Sequence, residues 1–300
     1  MAILIDSSTK ALVQGITGKE GSRAAREMIA YGTNVLAGVT PGKGGQTTEE
    51  GVPVFNTVKE ALAQFPDINT SLIVVPAQFV LGAAMESMEA KIPLVNIITE
   101  KVPISHVAKM IAFARTNNIT LVGPSSIGIL SPKKSKVGSI GSAGLADIIF
   151  SPGHVGVVSK SGGMTAELSR ILTEAGIGQS TVVGIGGDLL IGYTFEDAGL
   201  AFEQDPETKA IVIFGEVGGT YEECFAKAMG EGRIRKPVVA LIAGQFSEQL
   251  PQDTVLGHAG AIVTKGRGSA ASKIDALRKA GALIANTPEE IPILLKPFLL

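Results

Sequence analysis

Short apolar runs alternate with amphipathic segments along most of the 300 residues. Runs of strand length occupy 11–14, 35–40, 71–75, 94–99 and 120–122, and helical spacing of apolar positions fills 20–31, 57–65, 78–90 and 104–117. The runs are almost wholly apolar, as strands covered on both faces must be. Strand and helix in alternation predict a parallel sheet with helices on both sides. The rhythm breaks at about 124–153, a stretch rich in Gly, Pro, Ser and Lys that reads as a crossing between domains. A second series follows, with strands at 155–159, 181–185, 210–214, 237–242 and 282–284 and helices near 163–175, 194–204, 220–231, 269–280 and 288–298. The expectation is an α/β chain of two doubly wound domains: residues 1–124 Rossmann-like, 125–153 the crossing, and 154–300 flavodoxin-like. Each presents a ligand edge at the carboxyl ends of its strands.

Composition narrows the class. Hydrophobic residues make up 45%, aromatics only 5%, and there are 37 glycines, which suits α/β layers joined by glycine-rich turns. A net charge of −2 gives no electrostatic case for nucleic acid. No apolar run approaches the roughly 20 residues that span a bilayer, and Met1-Ala2-Ile3-Leu4-Ile5-Asp6 has no secretion signature. The single cysteine, Cys224, excludes an internal disulfide and a thiolate zinc cluster. Its place in Tyr221-Glu222-Glu223-Cys224-Phe225 predicts a buried filler on a helix. A reducing, cytoplasmic location fits best.

The chemistry sits in the turns. Gln14-Gly15-Ile16-Thr17-Gly18-Lys19-Glu20-Gly21-Ser22 follows the first strand and opens the first helix. Glycines there let a phosphate approach backbone N–H groups at a helix N-terminus. The spacing is G-x-x-G-x-x-G, and no acid follows strand two to hold a nicotinamide ribose. Val39-Thr40-Pro41-Gly42-Lys43-Gly44-Gly45 stands there instead and again favours a phosphate. In the second half, Ser159-Lys160-Ser161-Gly162-Gly163 makes another strand-to-helix turn, with the Ser161 hydroxyl and the Gly162 and Gly163 N–H groups forming an anion site. Gly184-Ile185-Gly186-Gly187-Asp188 and Gly215-Glu216-Val217-Gly218-Gly219 end two further strands. Gly257-His258-Ala259-Gly260-Ala261 surrounds one of three histidines with residues that leave its ring open. A carboxylate at Glu216 accepting one imidazole N–H would leave the other nitrogen of His258 nucleophilic, and the helix start at Ser161 would stabilise a phosphoryl group placed on it. His106, inside a helical segment, and His154, in a Pro-Gly-His turn, read as structural.

In family order, these segments closely resemble the α subunit of the succinyl-CoA synthetase family of nucleotide-dependent acid–CoA ligases, along essentially the whole chain. The resemblance implies a CoA-binding first domain with contacts at Thr17, Gly18, Lys19, Glu20, Gly21, Lys43 and the Ile98-Thr99-Glu100 turn. It implies a transiently phosphorylated His258 partnered by Glu216, with Ser161, Gly162 and Gly163 starting the helix aimed at it. It also implies a separate β subunit, carrying an ATP-grasp domain, that supplies ATP or GTP, Mg²⁺ and most contacts to the acid. The chain has no G-x-x-x-x-G-K-[ST] loop of its own, as half an enzyme would not.

Three local departures bear on the acid. Gly123-Pro124-Ser125-Ser126-Ile127-Gly128 stands where the succinate type usually reads Gly-Pro-Asn-Cys-Pro-Gly. Ser161-Gly162-Gly163-Met164-Thr165-Ala166-Glu167 replaces Ser-Gly-Thr-Leu-Thr-Tyr-Glu. The crossing also looks longer. All three are more similar to ATP-citrate lyase and citryl-CoA synthetase, and the smaller residues leave room for an acid bulkier than succinate. Two readings of another class remain: an NAD-dependent oxidoreductase, against which the missing acid after strand two argues, and a CoA-binding regulatory module, which would not need Glu216 and His258 together.

Overall fold

The computed structural model describes residues 2–141, 144–244 and 268–299. The first half builds β1 (Lys10–Gln14), α1 (Lys19–Ala30), β2 (Asn34–Val39), β3 (Val54–Phe55), α2 (Val58–Gln64), β4 (Thr70–Ile73), α3 (Val80–Glu89), β5 (Leu94–Ile97), α4 (Ile104–Thr116) and β6 (Thr120–Val122). Its six strands pair in parallel in the order β3-β2-β1-β4-β5-β6. That is the Rossmann order, whose direction reverses between β1 and β4 and opens a crevice at the strands' carboxyl ends. Two glycines shape the turn there. Gly15 takes φ +85°, and a Cβ on Gly21 would fall 2.1 Å from the Gly15 carbonyl oxygen, so α1 packs directly on the turn that starts it.

The second sheet contains β7 (Gly128–Ser131), β8 (Ser135–Gly138), β9 (Pro152–Ser159), β10 (Gln179–Gly184), β11 (Ala210–Gly215), β12 (Val238–Ile242) and β13 (Leu283–Ala285). Their order is β13-β12-β11-β9-β10-β7-β8. The five strands β9 to β13 are parallel in the flavodoxin order. Strands β10, β11 and β12 are buried along their whole length, which explains their unbroken apolar runs. The helices are α5 (Ala146–Ile149), α6 (Gly162–Glu174), α7 (Phe195–Gln204), α8 (Tyr221–Gly230), α9 (Ala270–Lys279) and α10 (Glu290–Leu299).

Residues 125–153, read above as a crossing, contribute an antiparallel hairpin to the edge of this sheet, with β7 pairing β10 and β8 pairing β7. The hairpin also ties the two halves together. Lys136 on β8 donates to Glu27 on α1 at 3.0 Å and to the Gly141 carbonyl at 2.7 Å, with side-chain exposures of 1% and 8% for the two partners. Burial pushes the Lys136 ammonium below its ordinary value, and Glu27 works against that. Thr33 seals the contact: its hydroxyl donates to the Lys136 carbonyl at 2.7 Å and accepts the Lys136 N–H at 2.8 Å. One apolar cluster runs through both sheets, from Val13 and Val122 through Ile129 and Val137 to Val158 and Ile213.

Two local expectations are corrected. His154 lies within β9, its Nδ1 2.9 Å from the Glu207 carbonyl oxygen, because pairing with β10 and β11 extends the strand back to Pro152. Cys224 is exposed, and Glu222 takes the inward place. The buried face of α8 runs through Glu222, Phe225 and Ala226, and Cys224 falls on the opposite side.

Candidate active site

The residues expected to hold CoA gather at one edge of the first sheet. Thr17 to Gly21 follow β1, Lys43 follows β2, and Ile98 to Glu100 follow β5. Gly18 caps α1 with backbone alone, and among the described residues no side chain caps the free N–H groups of its first turn. Thr17 donates to Thr40 across the crevice at 3.1 Å. The lysine turn is held from beneath by Asn56, whose Oδ1 accepts the N–H of Gly42 at 2.9 Å and of Gly44 at 3.0 Å, leaving Lys43 exposed. Thr99 donates to the Val75 carbonyl at 2.6 Å and fixes the turn after β5. The edge therefore offers open backbone donors and a cation, which suit the phosphates and pantetheine chain of CoA.

The segment 123–128, which ends on the first residue of β7, joins this edge to the second sheet. The Thr99 carbonyl accepts the Ser125 N–H at 3.0 Å, and the Ser126 hydroxyl donates to the Gly184 carbonyl at 2.6 Å. Ile127 then fills the space over two glycines. A Cβ on Gly162 would meet its Cγ2 at 2.8 Å, and a Cβ on Gly184 its Cγ1 at 2.3 Å. The carboxyl ends of both sheets thus meet along 123–128.

On the second edge, strand register brings four turns side by side. Ser159 on β9 is level with Phe214 on β11 and with Gly184 on β10, and Gly215 is level with Ile242 on β12. The turns holding Ser161, Glu216, the Gly184–Asp188 run and the exit from β12 therefore leave one edge together. Ser161 caps α6: its hydroxyl accepts the Met164 N–H at 3.4 Å, and its own N–H is held by the Ser159 hydroxyl at 3.1 Å. Gly163 is exposed, with open space where a Cβ would go, and Ala166 lies one turn on along the same face.

His258 lies outside the described residues, but both ends of the stretch that carries it rest on the Glu216 loop. The Ala243 N–H donates to the Gly215 carbonyl at 2.9 Å, and the Gly218 N–H donates to the Gly268 carbonyl at 2.8 Å. Gly244, at φ +94°, lies so close to Val217 that a Cβ would come within 2.8 Å. Below the loop is a cluster the sequence did not disclose. Glu222 is fully buried between Lys160 at 3.0 Å and Lys273, and it accepts the Glu216 N–H at 3.3 Å. The Lys160 ammonium also lies 5.8 Å from the Phe195 ring centroid and 5.6 Å from that of Tyr221, within cation–π range. A lysine inside the Ser159–Gly162 motif was the one visible signal; Glu222 and Lys273 are more than 50 residues away from it in sequence and belong to no motif of their own.

Comparison with known proteins agrees with this layout. The family model described as the CoA binding domain matches residues 6–101, and that of the CoA-ligase matches 158–283. The succinate–CoA ligase [ADP-forming] subunit alpha 2 of Archaeoglobus fulgidus is 46% identical over 291 residues, covering 97% of each chain. The chain belongs to the succinate–CoA ligase α-subunit family. The subunit alpha of Aquifex aeolicus is 47% identical over 293 residues, covering 97% of this chain and 92% of its own. Among solved structures, ATP citrate lyase from Methanothrix soehngenii in complex with citrate and coenzyme A superposes with a TM-score of 0.91 at 29% identity. It covers 99% of this chain, which spans only 50% of that one. The chain is thus an enzyme subunit of the CoA-ligase type with a CoA-binding domain, and as an α subunit it implies a partner. Among the described residues no helix is long and apolar enough to cross a membrane.

Proposed function

We propose that the chain is the phosphoryl-carrying α subunit of an ATP- or GTP-dependent succinate–CoA ligase. Residues 1–124 bind CoA, and 154–300 carry the phosphoryl chemistry. The observation that supports this most is the Glu216 loop, whose backbone leaves the sheet level with the turn into α6 and bonds to Ala243 and Gly268, on either side of the stretch bearing His258. Glu216 accepts an N–H from the imidazole and fixes its tautomer, so the other ring nitrogen attacks the γ-phosphorus and nucleoside diphosphate leaves. The N–H groups at Gly162 and Gly163, at the start of α6, stabilise the phosphoryl oxygens. The phosphoryl group then passes to the carboxylate of the acid, His258 regains its free nitrogen, and the CoA thiol displaces phosphate to give the thioester. CoA is held by Thr17 to Gly21, Lys43 and the Ile98–Glu100 turn. The nucleotide and Mg²⁺ belong to an ATP-grasp β subunit, and the assembly works in the cytoplasm.

Citrate is a second reading for the acid, favoured by the open space at Gly163 and the small Ala166 beside it. Incubating the α–β complex with γ-labelled ATP tests the core of the proposal. Acid-labile, base-stable label on this chain is expected, and label that persists in His258→Ala sinks the assignment. Thioester formation compared between succinate and citrate decides the acid. Preference for citrate that reverses in the Gly163→Thr/Ala166→Tyr variant would assign selectivity to this face.

A further inference from the structure

Glu222 sits in the first turn of α8 but reaches back to the loop that precedes its helix. One carboxylate oxygen accepts the Glu216 N–H at 3.3 Å and the Lys160 ammonium at 3.0 Å, and the other takes Lys273. Lys273 also donates to the Gly218 carbonyl at 2.7 Å. The same carboxylate thus governs the loop at two points, directly at Glu216 and through Lys273 at Gly218. Gly215 shows how closely the backbone is seated, since a Cβ there would lie 2.7 Å from a Glu222 oxygen.

The three charged groups come from three separate places: the end of β9, the start of α8 and the first turn of α9. Stability is a weak reason to keep such a cluster, because apolar residues of similar volume serve as well or better. Burial pushes the Lys273 ammonium below its ordinary value, with Glu222 holding it up, so the arrangement is held against a desolvation cost. What the cluster supplies and an apolar core cannot is a directed hydrogen bond to one chosen N–H.

We propose that Glu222, clamped between Lys160 and Lys273, is a positioning residue that fixes the Glu216 backbone and so aims the Glu216 carboxylate. This rests on the role given to Glu216 above. The test is a double-mutant cycle in the assembled α–β complex, reading the rate of label transfer from γ-labelled ATP, kcat, and KM for CoA. Glu222→Gln is expected to slow labelling and kcat by about tenfold or more while KM for CoA stays within about twofold. In a Glu216→Gln background the same change is expected to add less than about twofold, since a residue acting through Glu216 has nothing left to aim. Equal losses in both backgrounds, or labelling at the parent rate in Glu222→Gln, overturn the proposal. Should Glu222→Gln fail to assemble, Lys273→Met carries the same cycle, because it leaves Glu222 paired with Lys160. A Glu216→Gln variant that labels at the parent rate strikes the functional reading instead, so the two failures are distinguishable.

Discussion

Two buried lysine–glutamate arrangements sit in this chain and do different work. Lys136 and Glu27 lie between β8 and α1 and join the hairpin of the second sheet to the first helix of the chain. Lys160, Glu222 and Lys273 lie under the loop that carries Glu216. The first pair holds two halves of the fold together, and the other hydrogen bonds of Lys136 go to Gly141 and Thr33, outside the candidate site. The second set directs a fully buried carboxylate at a backbone N–H of the candidate site. Buried charge is therefore no uniform sign of stability or of function; the group it touches separates the two.

The contrast can be pushed hardest by removing the shared partner. Glu222→Leu leaves two buried ammonium groups facing each other and should cost about 3–5 kcal/mol in urea unfolding. A loss under about 1 kcal/mol would place the cluster on a par with an exposed pair. Lys136→Met should cost less, about 1–3 kcal/mol, since Glu27 is 8% exposed where Glu222 is not exposed at all. Adding Glu27→Leu to it should recover most of that loss and leave label transfer from ATP untouched. If the paired replacement slowed labelling, the division between fold and site would fall. The smallest effect calibrates both: Lys134 and Glu207 form a half-exposed pair just before β8 at 2.5 Å. A hydrogen bond from Lys134 holds the Glu207 carboxyl below its ordinary value. A lowered carboxylate stabilises the fold above its unfolded value and stops doing so as pH falls through the folded one. With solvent screening, Lys134→Met should cost no more than about 1 kcal/mol at pH 7, and variant and parent should converge in acid. Thermal melts at pH 7 and pH 3 check this.

Much of the fold was legible because long parallel strands announce themselves. The runs at 11–14, 120–122 and 210–214 lie within one residue of the strands that form there. Strand β3 escaped notice because two residues carry no periodicity, and the β7–β8 hairpin because Gly128, Gly138 and a lysine look like loop. Lys136 reads as solvent-facing only until Glu27, from the other half of the chain, reaches it. The same physics hid Glu222. A glutamate beside Glu223 at a helix start resembles a surface residue that favours the helix dipole, and its burial depends on lysines supplied by two distant elements. The position of Glu216 at the end of β11 was legible for the opposite reason: flanking glycines mark a backbone that must turn tightly at a strand end. His258 was named from its small neighbours and from the family resemblance, and it lies outside the described residues.

Ile127 gives the order of change a direction. Positions 127, 162 and 184 share one volume, and at present a single isoleucine occupies it. A larger residue at 162 or 184 collides unless 127 has already become smaller, whereas shrinking 127 first, from Ile to Val, costs about 0.5–1.5 kcal/mol. Substitutions here are therefore not interchangeable in time. A lineage, or an engineer reshaping the start of α6, reaches a bulkier 162 by passing through the bridge residue, and a library that varies 162 with 127 held fixed samples mostly dead ends.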